Sequence, residues 1–203
     1  AGPKYALLRP EFAKLRDYSL ARRATPKLKH LLITMGGVDQ TNATGKVLDA
    51  LRDCPLPADC RLTVVMGPHA PWLAQIRDKA THMPWMTEVL VNVQNMAELM
   101  ADSDLAIGAT GSTSWERCCL GLPAIVLVLA DNQFENSKAL QEARAAIVVP
   151  DAMASLSETA VALTSKLHDI QANYLDFSYN GATICDGRGA QRLVDILGKP
   201  NEL

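Results

Sequence analysis

Short runs dense in isoleucine, valine and leucine recur at 31–35, 62–66, 89–93, 105–109, 124–129 and 146–149, and segments of helical period fill the intervals at 43–53, 71–81, 96–102, 114–120 and 134–143. A polar or glycine-rich turn precedes each helical segment, the usual signal for a helix start. The apolar runs are nearly continuous, as strands covered on both faces must be. Strands that alternate with helices are joined by right-handed crossovers, which makes the sheet parallel. The pattern predicts an α/β chain with a doubly wound, mostly parallel sheet and helices on both faces.

Two segments break this rhythm. Residues 1–29 hold a basic stretch of helical character with Lys14, Arg16, Arg22 and Arg23, read as a strap over the sheet. Residues 30–150 form the expected Rossmann-like core, and 151–203 add C-terminal helices. The first of these runs from Ser155 to about 171, opened by a Ser155-x-x-Glu158 capping box. A coil then leads to a final helix at 190–197. Without repeats or low-complexity stretches, 1–203 reads as a single domain.

Composition narrows the function classes. A length of 203 residues with 48% apolar and 21% charged residues suits a globular domain. The formal net charge of −2 provides no global basic field for nucleic acid or an anionic membrane, so neither is an expected partner and any phosphate must be held locally. The five cysteines, Cys54, Cys60, Cys118, Cys119 and Cys185, show no C-x-x-C spacing and fit buried thiols in a reducing, cytoplasmic setting. No apolar run reaches the roughly 18 residues of a membrane span, and no signal peptide opens the chain. The opening Ala1-Gly2-Pro3 reads like the exit from a loop, as expected of a piece cut from a longer polypeptide.

In an open parallel sheet, ligands sit beyond the carboxyl ends of the strands. Met35-Gly36-Gly37-Val38-Asp39-Gln40-Thr41-Asn42 leaves a strand through paired glycines and enters a helix capped by Thr41 or Asn42. Glycines allow close backbone approach to a phosphate, and a helix start offers free amides; the same residues also suit a tight turn with no ligand. It is not a P-loop. Gly108-Ala109-Thr110-Gly111-Ser112-Thr113-Ser114-Trp115-Glu116 forms a second candidate anion cradle from backbone amides and the Ser112 and Thr113 hydroxyls. Two such cradles on neighbouring strands would suit a diphosphate. Thr113-x-x-Glu116 is also a capping box, which gives Glu116 an ordinary alternative role. Asn132 and Gln133, in the turn Ala130-Asp131-Asn132-Gln133, offer amides for sugar hydroxyls or serve as solvated caps. The segment Val91-Asn92-Val93-Gln94-Asn95-Met96 ends a strand and offers a backbone edge to a flat base, with Asn95 as a helix cap. His30, His69, His82 and His168 do not assemble a catalyst, and no metal-ligand or nucleophile motif is present.

Taken in order, several of these motifs resemble a known family. They are Met35-Gly36-Gly37-Val38-Asp39; Asn95-Met96-Ala97-Glu98-Leu99-Met100 with Asp104-Leu105-Ala106-Ile107; Gly108 to Arg117; Leu120-Gly121-Leu122-Pro123; and Asp131-Asn132-Gln133. The chain resembles the C-terminal domain of the UDP-sugar hydrolases of pseudaminic acid biosynthesis, relatives of the peptidoglycan GlcNAc transferase. Gly2-Pro3-Lys4-Tyr5-Ala6-Leu7-Leu8-Arg9-Pro10-Glu11-Phe12 is similar to that family's interdomain segment, and Asp186-Gly187-Arg188-Gly189-Ala190 with Arg192 to its C-terminal signature. The resemblance implies the C-terminal half of a glycosyltransferase-B architecture whose ligand is UDP or a UDP-sugar. It implies the diphosphate near Gly36, Gly37, Thr110, Gly111, Ser112 and Thr113, the uracil against Val93 and Met96, the ribose on Glu116, and the sugar near Asn132 and Gln133. It further implies that water displaces UDP from the anomeric carbon of a 2,4-diacetamido-2,4,6-trideoxyhexose. The candidate catalytic histidine would lie in an N-terminal domain that this sequence lacks. No cofactor or metal is implied. The Gly-Gly-Val-Asp turn differs from the longer glycine and serine motif of the transferase, which makes transfer the second reading.

Overall fold

The computed structural model describes residues 2–149 and 156–198. Six strands, β1 (His30–Thr34), β2 (Arg61–Met66), β3 (Met86–Val91), β4 (Leu105–Ala109), β5 (Ala124–Leu127) and β6 (Ile147–Val149), form one sheet in the order β3-β2-β1-β4-β5-β6. Every strand pair is parallel. The chain order reverses between β1 and β4, which pair with Thr34 opposite Gly108. This is the topological switch point, where crossovers depart in opposite directions and leave a crevice above the strand ends.

The helices are α1 (Pro10–Arg23), α2 (Ala43–Leu51), α3 (Leu73–Thr81), α4 (Met96–Asp102), α5 (Thr113–Cys119), α6 (Phe134–Glu142), α7 (Leu156–Ala172), α8 (Tyr174–Ile184) and α9 (Gly189–Leu197). Alternate residues of each central strand serve opposite faces. Leu31, Ile33, Leu105, Ile107, Ile125 and Leu127 join a core with Val47 and Leu48 of α2, Ile76 of α3 and Leu163 and Leu167 of α7. Leu32, Ala106, Ala124 and Val126 join the other core, with Phe12 of α1, Met100 of α4, Cys118 of α5 and Leu140 of α6. The continuous apolar runs are thus explained by two buried faces, and the doubly wound expectation holds. Among the described residues, no helix is long and apolar enough to cross a membrane.

The basic strap works mainly as a set of helix caps. Arg16 donates to the carbonyls of Cys119, Ala182 and Cys185 at 2.6, 2.7 and 3.0 Å, at the carboxyl ends of α5 and α8. Arg23 donates to the Met100, Ala101 and Ser103 carbonyls where α4 ends. Cations are favoured there because helix carboxyl ends carry unpaired carbonyls and partial negative charge. Arg22 pairs with the buried Asp104 at 2.6 Å, and the other carboxylate oxygen of Asp104 accepts the Lys29 and His30 amides. The strap thereby fixes the start of β1.

Three expectations need correction. The third strand begins at Met86 and ends at Val91, so Val93 lies in the following loop; Asn92, with φ 55°, turns the chain out of the sheet. The expected coil after α7 contains α8, which packs on α5 so closely that a Cβ at Gly181 would already be in van der Waals contact with the Cys118 backbone. Tertiary packing there overrides weak helix propensity. Asn95 stands at the N-cap position of α4 but makes no capping hydrogen bond; its amide goes to Glu98 instead. Ser155, which opens the expected capping box, lies outside the described residues.

Candidate functional site

The turns after β1 and β4 flank the switch point. Gly36, with φ 92°, bends the chain out of β1. Gly36 and Gly37 are exposed, and a Cβ on either, or on Gly111, would meet open space. Beneath the first turn lies Gly67, where any side chain would strike the Gly37 carbonyl. Trp72 donates its indole N–H to the Gln40 carbonyl at 3.1 Å and holds the turn from the side.

The helix that follows is already capped. Both carboxylate oxygens of the buried Asp39 accept amides from the first turn of α2, Ala43 N at 2.8 Å and Thr44 N at 2.9 Å. Asn42, at the N-cap with φ 56°, accepts from Gly45 N. The α2 terminus therefore offers its amides to protein carboxylate and amide oxygens, and the exposed backbone of Gly36 and Gly37 is what faces the crevice.

In the second turn, the Thr110 amide and hydroxyl both go to the Leu127 carbonyl of β5, and Gly111 N goes to the Ser114 hydroxyl. These residues shape the turn. Ser112 is exposed and Thr113 half-buried, and the N-cap residue Ser112 gives α5 no side-chain cap. Ser114 and Arg117, which the sequence reading left aside, organise this turn from below. Buried Arg117 donates through Nη2 to the Ala109 carbonyl at 2.8 Å and to Ser114 Oγ at 3.0 Å. The available signal was an arginine inside the apolar run Arg117-Cys118-Cys119-Leu120.

Thr113 is the first residue of α5 and not its cap, so Glu116 falls one position late for a capping box, and its carboxylate makes no hydrogen bond to the Thr113 amide. Burial pushes the Glu116 carboxyl above the usual glutamate range, while Arg9 and Arg117 pull it back and Glu11 adds to the rise. Arg9, a third residue without a role in the sequence reading, is thus close enough to act electrostatically on Glu116. It also donates to the Gln94 carbonyl at 3.4 Å, in the loop after β3, and its guanidinium stands 5.3 Å from the Phe12 ring centroid. Arg9 is ion-paired with Glu11 at 3.1 Å, and its charge reaches Glu116 while its guanidinium touches the loop bearing Val93 and Met96. Val93 and Met96 are half-buried against the core face shared by α1, α4 and α5.

Asn132 is exposed in a single turn of 3-10 helix, Asp131–Gln133. The Gln133 side-chain oxygen accepts from Leu129 N at 2.9 Å, leaving its NH2 group as the donor to any ligand. His30 is tied to Thr63 at 2.9 Å, near the amino end of β1 and away from the crevice. A groove of about 430 Å³ between α1 and α8, lined by Leu20, Tyr179 and Ala182, also lies at that opposite end.

Comparison with known proteins gives a coherent set of relatives. The model of the glycosyltransferase family 28 C-terminal domain matches residues 31–182. The spore coat polysaccharide biosynthesis protein SpsG of Bacillus subtilis is 29% identical over 203 residues, a match covering 97% of this chain and 57% of that protein. The UDP-N-acetylglucosamine--N-acetylmuramyl-(pentapeptide) pyrophosphoryl-undecaprenol N-acetylglucosamine transferase of Porphyromonas gingivalis is 31% identical over 104 residues, covering 48% of this chain and 26% of that one. Among solved structures, Acinetobacter baumannii MurG superposes with a TM-score of 0.75 at 19% identity, covering 90% of this chain and 53% of that one. The chain thus spans little more than half the length of SpsG and of MurG.

Proposed function

Because this chain belongs to the glycosyltransferase family 28 C-terminal domain family, we propose that it holds the UDP part of a UDP-sugar, as one half of an enzyme that cleaves the bond between the sugar and the diphosphate. The observation that carries this reading is the juxtaposition at the switch point. Two glycine turns leave adjacent parallel strands, β1 and β4, with open space before Gly36, Gly37 and Gly111. In this reading, the Gly36-Gly37 backbone and the Ser112 and Thr113 amides and hydroxyls bind the diphosphate, while Thr110 and Gly111 shape the second turn. Glu116 accepts from the ribose hydroxyls, the backbone around Val93 with Met96 meets the uracil, and Asn132 and the Gln133 NH2 group face the sugar. The partial coverage of the relatives supports a second domain in the whole protein, one that closes over the crevice and orients the acceptor.

Two acceptors are compatible with such a site. The motifs shared with the pseudaminic acid hydrolases favour water, giving UDP and a free 2,4-diacetamido-2,4,6-trideoxyhexose. The similarity to the Porphyromonas transferase favours a sugar hydroxyl. In either case the oxygen attacks the anomeric carbon, the bond to the β-phosphate oxygen breaks, and UDP leaves with the electron pair. Donors aimed at the diphosphate stabilise that developing charge. The test is turnover of UDP-sugars by the full-length protein in ¹⁸O-labelled water, followed by mass spectrometry. Hydrolysis puts one label on the released sugar and none on UDP. Consumption only when a carbohydrate acceptor is added, without label in the product, selects transfer, and no turnover of any UDP-sugar refutes the enzymatic reading.

A further inference from the structure

Arg117 is 2% exposed, yet it joins none of the ion pairs among the described residues. Its Nη2 is engaged by the Ala109 carbonyl and Ser114 Oγ, while Nε and Nη1 have no acceptor there. The guanidinium is wedged under the crevice: a side chain at Gly108 would strike both Arg117 Nη1 and the Thr34 carbonyl. Thr34 and Gly108 are paired neighbours at the carboxyl ends of β1 and β4. Arg23 supplies the contrast. It is equally hidden, but it donates to five oxygens, four of them carbonyls at helical turns, with Asp102 and Asp104 nearby. Burial lowers Arg117 to about 10, so it remains a cation at neutral pH.

The neighbouring Glu116 supports this charge electrostatically but forms no ion pair with it; a buried charge without a direct partner is unfavourable, and a ligand anion would relieve it. The crevice directly above carries no side-chain carboxylate paired to Arg117, and it is where the diphosphate lies in the reading above, on which this inference rests. We propose that Arg117 is the buried counter-charge of the diphosphate, a positioning residue that acts across the ends of β1 and β4 and through the Ser114-held turn. Its field crosses a protein interior that screens it far less than water would. It favours a diphosphate over an uncharged nucleoside, and it favours UDP more as the bond to the sugar breaks and charge collects on the leaving oxygen.

The readout is the ratio of UDP to uridine affinity, measured by NMR titration of the wild-type chain, Arg117→Met and Arg117→Lys. Arg117→Met is expected to weaken UDP by about 10- to 100-fold while leaving uridine within about twofold, and Arg117→Lys to recover part of the loss. A wild-type ratio retained in Arg117→Met, or a lysine variant as defective as the methionine one, overturns the proposal. A second measurement needs no variant: inorganic diphosphate should move the Arg117 ¹⁵Nε–H resonance of the wild type and uridine should not, and a resonance indifferent to diphosphate also overturns it. A wild-type chain that binds no UDP refutes the nucleotide reading itself and the inference with it. That result is distinct from UDP binding that ignores Arg117.

Discussion

Replacing Glu116 with glutamine should move ligand affinity and stability in opposite directions. The carboxylate is half-buried, does not cap α5, and is raised in pKa first by burial. A glutamate whose folded pKa lies above its unfolded one binds more protons when folded, so stability falls as pH rises through the interval between the two values. Glutamine has no such penalty. Glu116→Gln should therefore match the wild type in thermal stability below the ordinary glutamate range of about 4.3 and exceed it at neutral pH. Binding should suffer. If the carboxylate accepts from both ribose hydroxyls, the charge-assisted bonds contribute about 1.5–3 kcal/mol, and losing most of that weakens UDP by roughly 10- to 100-fold at about 1.4 kcal/mol per decade. Inorganic diphosphate, which has no ribose, should bind both proteins alike. The assays are thermal unfolding between pH 4 and pH 8 and calorimetric titration. A lower melting temperature at pH 7 with unchanged UDP affinity would make Glu116 a structural residue and refute the ribose assignment.

Three further outcomes follow from particular contacts. Gly67→Ala should displace the Gly37 carbonyl beneath it and weaken UDP and inorganic diphosphate while leaving uridine unaffected; equal losses for all three in parallel titrations would separate Gly37 from the phosphate. Asp39→Ala removes two capping bonds from α2 and should cost about 1–2 kcal/mol in urea unfolding, whereas an unchanged midpoint would deny the cap. Arg192 binds both carboxylate oxygens of Asp186, at 2.7 and 2.6 Å, and holds that carboxyl below the usual aspartate range. The wild type's advantage over Arg192→Met should be complete above about pH 4 and shrink as acid protonates Asp186; an advantage independent of pH down to pH 2 would show that packing, and not the ion pair, is responsible.

The fold was legible because covered strands write themselves as apolar runs. Leu31 to Ile33, Leu105 to Ile107 and Ala124 to Leu127 feed both cores, residue by residue, and short apolar runs bounded by turn signals suit strands covered on both faces. The edge strand β3 was misplaced because Met86 is 73% exposed and the strand lacks that signal. Helix α8 was missed because Tyr174, Phe177, Tyr179, Asn180 and Gly181 are poor helix formers, and their compensation lies in a distant contact with α5. In the candidate site, the glycine turns were visible by composition, but their division of labour was not. That Asp39 occupies the α2 terminus depends on the left-handed turn at Asp39 and Asn42, and that Thr110 faces β5 and Arg9 reaches the loop after β3 depends on contacts between residues far apart in the chain.

The central claim is that the crevice above β1 and β4 is built for a uridine diphosphate. Calorimetric titration of the chain with UDP, CDP, ADP and GDP under one set of conditions tests it most directly. UDP should bind most tightly, with the purine diphosphates clearly weaker, if the edge at Val93 and Met96 receives the uracil as proposed. ADP binding as tight as UDP, or tighter, would contradict the uracil assignment.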